Sequence, residues 1–534
     1  MKAGPLLIPD AASRCGAWPA PLWARRLGML LFAAGFYTYF LYYTLDGLTS
    51  WFSPDDLMNL YGSLSRLVRD PARSELVSTP VSAWDLIRDN LRFWSGGQRP
   101  MGTAFYHMIY AVWGFNPTPF RVAALILVSL NLWLMFAVVR KMSGSLETAI
   151  WAMFLTGLHP SFVSIYYDTR VVYDILAFLF SYSALLYYLR LRESGKLPNP
   201  PQTLLLLGLF VAALNSKEIA VSLPFAFLLF EWFWFRPSDF RLRTLAAWLA
   251  GPGRAGLLMA AIDLLYVAGR VAGEQPVVNR PFYRPHLSLI VYLQNYSEYL
   301  SEMVWSHRAL PAAAVLSLLC GIVLASILCR QRHLKWAAFM IVLAFLPLAF
   351  IPLRDGFAFY VPALPWALWA AGAAVVLRAT LARGLWRCAG RLRAASGNPG
   401  VAFGLQLATQ GALAGLIIFR VVPFHAWAFS YAVPAIHYYQ NANRLYHDQI
   451  LMLLPALPRS ASVLVLNDPY PGESFNTVFL FCLTFGDLTM TVHQARVVQR
   501  HAATLEPTSY DAVLDFIDHQ FVLRRGPTRP DSVY

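Results

Sequence analysis

Long apolar runs recur along almost the whole chain, and they constrain its fold more than any other feature. They lie at Leu27–Leu45, Val122–Val139, Leu146–Val163, Val171–Leu189, Leu204–Leu214, Ile219–Phe235, Ala255–Val271, Ala309–Ile327, Leu334–Leu353, Phe357–Leu377 and Val401–Val422. A bilayer-crossing helix needs roughly 20 apolar residues, with some scatter, so the runs predict about eleven transmembrane helices. The run at Ala255–Val271 fits least well, because it carries Asp263 and follows "GPGR". With 57% hydrophobic and only 13% charged residues over 534 positions, the apolar surface exceeds what one water-soluble core can bury. The expected fold is therefore a polytopic α-helical membrane protein.

The net charge of +14 is distributed in short clusters between the apolar runs, including Arg25-Arg26, Arg140-Lys141, Arg190/Arg192/Lys196, Arg236/Arg241/Arg243 and Arg330/Arg332/Lys335. That is the positive-inside pattern, which sets orientation and argues against a nucleic-acid partner. With a cytoplasmic N-terminus (1–26), all these clusters fall on the cytoplasmic side. Dropping the run at Ala255–Val271 would put the later ones outside. The transmembrane unit then spans 27–424, with a large first outer loop at 46–121. Within that loop "MGTAFYHMIYAVWG" reads as an interfacial helix lying on the outer leaflet. Residues 425–534 are soluble in character and predict a small extracytoplasmic α/β domain. Strands are expected in "ASVLVLNDPYPG" and "TVFLFCLTFGDLTMTVHQARVV", and a helix with a closing strand in "SYDAVLDFIDHQFVLRR". The expected location is the cytoplasmic (inner) membrane, multi-pass. The five cysteines form no CxxC or Cys/His cluster, so no zinc site is expected.

The outward junctions hold the residues of chemical interest. "TSWFSPDDLMNLYG" sets Asp55 and Asp56 side by side just past the first run, and Arg99 and His107 follow in the same loop. Two adjacent carboxylates repel each other and are costly beside hydrocarbon, so they call for a cation, a polar substrate or water. The next junction, "HPSFVSIYYDTRVVYDILAFLF", supplies Asp168, Arg170 and Asp174, the last about a turn inside the following helix. "NSKEIAVSLP" supplies Lys217 and Glu218, and "PLRDGFAFYVPALP" supplies Arg354 and Tyr360. Carboxylates suit a general base, and Lys217 and Arg354 suit a departing phosphate. Structural roles stand beside these. The aspartate pair can cap a helix beginning near Leu57, Asp174 can pair with Arg170, Lys217-Glu218 can anchor at the interface, and Arg354 can pair with Asp355.

The segments "SPDDLMNL", "QRPMGTAFYHMIYAVWGFNPTPFRVAALILVSLNLWL", "HPSFVSIYYDTRVVYDILAFLF" and "NSKEIAVSLPFAFLLFE", in this order, resemble successive parts of the GT-C class membrane glycosyltransferases. The likeness is to the branch of protein O-mannosyltransferases and their relatives. It runs from about Leu27 to Glu231 and returns weakly at "RDGFAFYVPALP". The resemblance implies transfer of a sugar from a polyprenyl-phosphate carrier to a protein, lipid or glycan hydroxyl at the extracytoplasmic face, usually with inversion. It implies Asp55 as general base, Asp56 as its neighbour in substrate binding, and Asp174 as the acidic residue opening the fourth helix. Lys217 or Arg354 would stand by the carrier phosphate, and the lipid-linked sugar is a substrate rather than a cofactor. The reading calls for no divalent metal. Ser164 stands near the place where relatives carry Glu, and Val172 where they carry Arg, unless Arg170 serves instead. Two other function classes remain open: a transporter or lipid flippase, and a non-catalytic assembly subunit. No internal repeat favours the first.

Overall fold

The computed structural model describes residues 22–69, 76–94, 99–273, 276, 279, 281–306, 309–354, 356–391, 399–470, 474–500 and 506–526. Most of the expected N-terminal segment, with Cys15, lies outside them, as does Asp355. The first helix, α1 (Leu22–Thr44), leads through a 3-10 turn into the first loop. That loop contains α2 (Pro54–Leu64), the antiparallel hairpin β1 (Ser65–Arg69) and β2 (Leu76–Pro80), α3 (Ala83–Leu91) and α4 (Pro100–Trp113). The helix α4 coincides with the stretch read as interfacial. It buries Phe105, Tyr106 and Ile109 on one side and exposes Met108, Val112 and Trp113 on the other.

The membrane unit follows as α5 (Pro117–Ser143), α6 (Leu146–Gly157), α7 (Val172–Glu193), α8 (Pro200–Ser216), α9 (Leu223–Trp234), α10 (Leu242–Ala250), α11 (Arg254–Ala272), α12 (Leu289–Met303), α13 (Ala312–Leu328), α14 (Arg332–Ala344), α15 (Ala363–Arg391) and α16 (Pro399–Leu453). Each apolar run falls on helix, yet fewer than eleven helices cross by their own dimensions. Among the described residues, six segments are long and apolar enough to span a membrane. A seventh forms if α6 and the turns at Pro160–Tyr167 count as one span bent by 57°. Part of the shortfall is length, since α8 and α13 have 17 residues each, and part is a local break. The run beginning at Ile219 opens as a 3-10 turn (Glu218–Ser222) before the 12 residues of α9. At Leu346–Pro347, a proline that cannot donate a backbone hydrogen bond separates α14 from the next turn, but Arg332–Ala349 still counts as one of the six. The helix α11, the run that fitted least well on sequence because it carries Asp263 and follows "GPGR", is among the six. Its C-terminal end packs so closely on the first loop that a Cβ at Gly269 would stand 1.6 Å from the Trp94 carbonyl oxygen.

The last helix is the main departure from expectation. The chain does not become an α/β unit near Trp427, because α16 continues for 55 residues through Pro423 and Pro434 to Leu453. At 1.5 Å per residue that is about 80 Å, well over twice the hydrocarbon thickness of a bilayer. The compact C-terminal unit begins only at β3 (Ser462–Val465) and continues with α17 (Asn476–Phe485), β4 (Thr491–Gln494), α18 (Ala495–Arg500), β5 (Ala512–Ile517) and β6 (Gln520–Arg525). The sheet order is β4-β3-β5-β6, with β3 parallel to both neighbours and β6 antiparallel to β5.

Two elements differ from the sequence reading. "NTVFLFCLTF" is the helix α17, although its residues favour strands; it ends at Gly486, which adopts φ 62°. "AVLDFIDHQFVLRR" is a hairpin turning on Asp518-His519, whose φ values of 49° and 63° suit a two-residue turn between strands. The C-terminal unit does not stand apart. Leu480 and Phe481 of α17, Val463, Val465 and Leu514 of the sheet, and Ile450 of α16 share one apolar core with Phe52, Leu57, Leu60, Phe105 and Tyr106. The first loop and the C-terminal unit therefore lie on one side of the membrane.

Candidate functional site

The adjacent aspartates have opposite surroundings. Ser53 in extended backbone is the N-cap of α2, Pro54 takes the first helical position, and Asp56 completes a capping box. The Ser53 hydroxyl accepts from the Asp56 amide at 3.2 Å, and Asp56 Oδ2 accepts from the Ser53 amide at 3.1 Å. Helix α2 thus starts ahead of Leu57, and Asp56 does the capping. Its carboxylate is fully buried, with Arg121 Nη2 at 3.0 Å and the Tyr106 hydroxyl donating to Oδ1 at 3.1 Å. Arg121, itself buried, also donates to the carbonyls of Ser50 and Trp51 and to Thr169 Oγ1. Sequence reading had passed over Arg121. The available signal was a lone arginine opening an apolar run, which needs a buried partner.

Asp55 is one residue earlier and points the other way. Its side chain is 52% exposed and takes one bond, from Arg170 Nη1 at 3.1 Å. Arg170 is also ion-paired through Nε, at 2.7 Å, with Asp168, which is nearly fully buried. Asp168 Oδ1 accepts from Ser53 Oγ at 3.1 Å and from the Arg170 amide at 3.0 Å. The loop before α7 is thereby tied to the loop before α2.

Asp174 does not pair with Arg170. It is buried in α7 and meets Lys217 Nζ at 2.6 Å from Oδ1. Phe357 joins this pair to the previous one, its ring centroid lying 5.2 Å from Lys217 Nζ and 5.5 Å from the Arg170 guanidinium. Room for that ring depends on Gly356. A Cβ there would stand 2.5 Å from both Glu302 Oε2 and Ser161 Cβ, which belong to a pair closed by the Ser161 hydroxyl donating to Glu302 at 2.7 Å. Neither Phe357 nor Glu302 was singled out from sequence. A phenylalanine among many carries no mark, and α12 was not read as a helix.

A third pair adjoins these. Glu218 accepts from Arg99 at 2.8 Å and 3.1 Å and lies 3.7 Å from Arg270. Burial alone would push the Glu218 carboxyl up, but the two guanidinium groups outweigh it and hold the group at about 2. Arg99 also donates to the Tyr283 hydroxyl at 3.2 Å, and the Arg354 guanidinium lies 4.2 Å from the centroid of that ring. Two expected residues stand elsewhere. His107 is half-buried against the Ser63 carbonyl at 3.2 Å, and Tyr360 is buried in the bundle core between Phe162 and Phe178.

Burial, with the negative charge of Asp56 adding to it, pushes the Asp168 carboxyl up to about 7 against the pull of Arg170 and Arg121. Below that pH a neutral Asp168 no longer competes for Arg170, which then holds the Asp55 carboxylate more firmly. Any reaction that uses Asp55 as base should therefore accelerate as pH rises through about 7, and Asp168→Asn should flatten that limb of the profile. Stability runs the opposite way. A carboxyl that ionises less readily folded than unfolded favours the fold at low pH, and that contribution fades as pH rises through the folded value.

The chain's likeness to known proteins centres on these residues. Residues 98–265 match the dolichyl-phosphate-mannose-protein mannosyltransferase family model. The matched stretch holds Arg99, Arg121, Asp168, Arg170, Asp174, Lys217 and Glu218, and agrees with the mannosyltransferase resemblance of the motifs. Asp55 precedes it, and Glu302, Arg354 and Phe357 follow it. Among solved structures, ArnT from Cupriavidus metallidurans bound to undecaprenyl phosphate is similar at 13% identity and TM-score 0.46, over 92% of this chain and 93% of that one. The apo state of the same protein gives 14% identity and TM-score 0.44, over 93% and 94%. A comparison with curated protein sequences finds no significant match.

Proposed function

We propose that the protein is a membrane glycosyltransferase that moves a sugar from a polyprenyl-phosphate carrier to a hydroxyl of a protein, lipid or glycan at the outer face of the membrane. Asp55 takes the proton of the acceptor hydroxyl, whose oxygen attacks the anomeric carbon. The bond from that carbon to the phosphate oxygen breaks, its electrons stay on the phosphate, and the sugar inverts. Lys217, Arg99 and Arg354 supply positive charge where negative charge grows on the leaving phosphate. Arg170, held by Asp168, orients Asp55.

One observation carries the reading. Of the acids in the linked set, Asp55 is the open one, and Arg170 and Phe357 connect it to the Lys217–Asp174 pair. The mannosyltransferase match over the middle of that set supports the same reaction class. The test is an Asp55→Asn variant assayed with a polyprenyl-phosphate-linked mannose donor. It should insert and melt like the wild type and lose about 100- to 10,000-fold in transfer rate, as expected for removal of a general base. Transfer at the wild-type rate would exclude Asp55 as the base.

A further inference from the structure

The loops that carry Asp55 and Asp168 are both held from the same outside element. Beyond Pro434, the long helix α16 presents two buried amide side chains one turn apart, Gln440 and Asn443. Gln440 Nε2 donates to the carbonyl of Tyr167 at 2.6 Å, and Asn443 Nδ2 donates to the carbonyl of Phe52 at 2.9 Å. Tyr167 immediately precedes Asp168, and Phe52 immediately precedes the Ser53 cap of α2. Each amide therefore grips the backbone one residue ahead of a residue that shapes the acid cluster. His437, one turn earlier, adds a contact of 3.1 Å between Nε2 and Ser50 Oγ.

The grip continues into the C-terminal unit. Asn443 Oδ1 accepts from the Tyr470 hydroxyl at 2.6 Å, so one amide joins the Phe52 carbonyl to the loop after β3. Tyr470 is fixed in turn: its amide donates to Asp468 Oδ1 at 2.8 Å, and its carbonyl accepts from Arg496 Nη1 at 2.6 Å. Asp468 also accepts from Thr477 Oγ1 at 2.8 Å, at the start of α17. An apolar contact would hold the helix against the loops without fixing their rotation. A buried amide is directional, and Asn443 is satisfied at both its ends, whereas Gln440 is held through Nε2 alone, its buried Oε1 having no partner among the described residues.

We propose that Gln440 and Asn443 form a clamp through which the C-terminal α/β unit sets the position of the two acid-bearing loops, with Tyr470 as its remote end. Those side chains are positioning residues, and the C-terminal unit acts on the reaction through them. The effect on transfer rests on the function proposed above; the clamp itself does not.

The test uses the full-length protein in lipid nanodiscs, with Tyr470→Phe, Asn443→Leu and Gln440→Met. Amide hydrogen exchange over 50–57 and 165–171 reads the loops directly. Tyr470→Phe keeps the ring in place and should lower the melting temperature by no more than a few degrees, about the effect of one lost hydrogen bond in a chain of this size. It should speed exchange over 50–57 by about two- to tenfold, the span one net hydrogen bond covers. Asn443→Leu should do so more strongly, and Gln440→Met should loosen 165–171 instead. With polyprenyl-phosphate-linked mannose as the probe donor, kcat of Tyr470→Phe should fall several-fold at unchanged donor KM. Wild-type exchange over 50–57 in both Tyr470→Phe and Asn443→Leu overturns the clamp, and so does loosening with no change in kcat in a transferring enzyme. A wild type that transfers no sugar from such donors overturns the proposed function, and the exchange result then still decides the clamp.

Discussion

Replacing Asp56 by alanine is expected to destroy the fold around the first loop, and activity with it. The substitution leaves the Arg121 guanidinium buried without its carboxylate, and breaking a buried pair from one side costs about 3–5 kcal/mol. Loss of the reciprocal cap on α2 adds about 1 kcal/mol. The sum approaches the whole stability of many domains, about 5–15 kcal/mol. Size-exclusion profiles and melting curves in detergent should show aggregation or a large fall in midpoint. The residue before it should behave oppositely, because Asp55 is half-exposed and its one partner, Arg170, retains Asp168 when Asp55 is changed. If Asp56→Ala melts like wild type, the pair with Arg121 does not organise the loop.

A comparable effect is expected at the other end of the cluster. Lys217→Ala strands Asp174, whose side chain is 1% exposed, at the head of α7. About 3–5 kcal/mol should be lost, together with the positive charge proposed to receive the phosphate. The double variant Lys217→Ala/Asp174→Asn separates the two losses. Removing both charges should restore much of the melting temperature, since a buried pair replaced as a unit is often nearly neutral. Transfer should stay lost. Recovery of transfer along with stability would mean that Lys217 serves the fold alone.

Much of this architecture was legible in the sequence, for identifiable reasons. Hydropathy and basic clusters depend on local composition, so the apolar runs landed on helices, even the doubtful one carrying Asp263. The broken helices at Glu218–Ser222 and after Ala344 were hidden, because apolar composition does not report where a backbone ladder is interrupted. The C-terminal elements were misread where long-range packing overrides local preference, as in α17 against α2. At the site, Asp55, Asp168, Arg170, Asp174, Lys217 and Glu218 stood out because charge beside hydrocarbon needs a reason. Their pairing did not, since it depends on how distant junctions meet. Arg121 carried the signal of a lone arginine opening an apolar run, Glu302 and Phe357 became visible only through their neighbours, and Tyr360 and His107 were drawn in by motif position alone.

The length of α16 has a consequence for how this chain can change over time. Adding or deleting one residue in a helix turns everything beyond it by about 100° and moves it by 1.5 Å. A single insertion between Pro434 and Gln440 would swing both amides off their carbonyls and carry the C-terminal unit around with them. Even seven residues, which bring the rotation back to within about 20°, would carry the amides about 10 Å along the axis, so this stretch cannot change length unless its partners move with it. Substitutions on its outer face remain free. The first loop and the C-terminal unit, more than three hundred residues apart in sequence, are thus geared to one another and must be inherited as a matched pair.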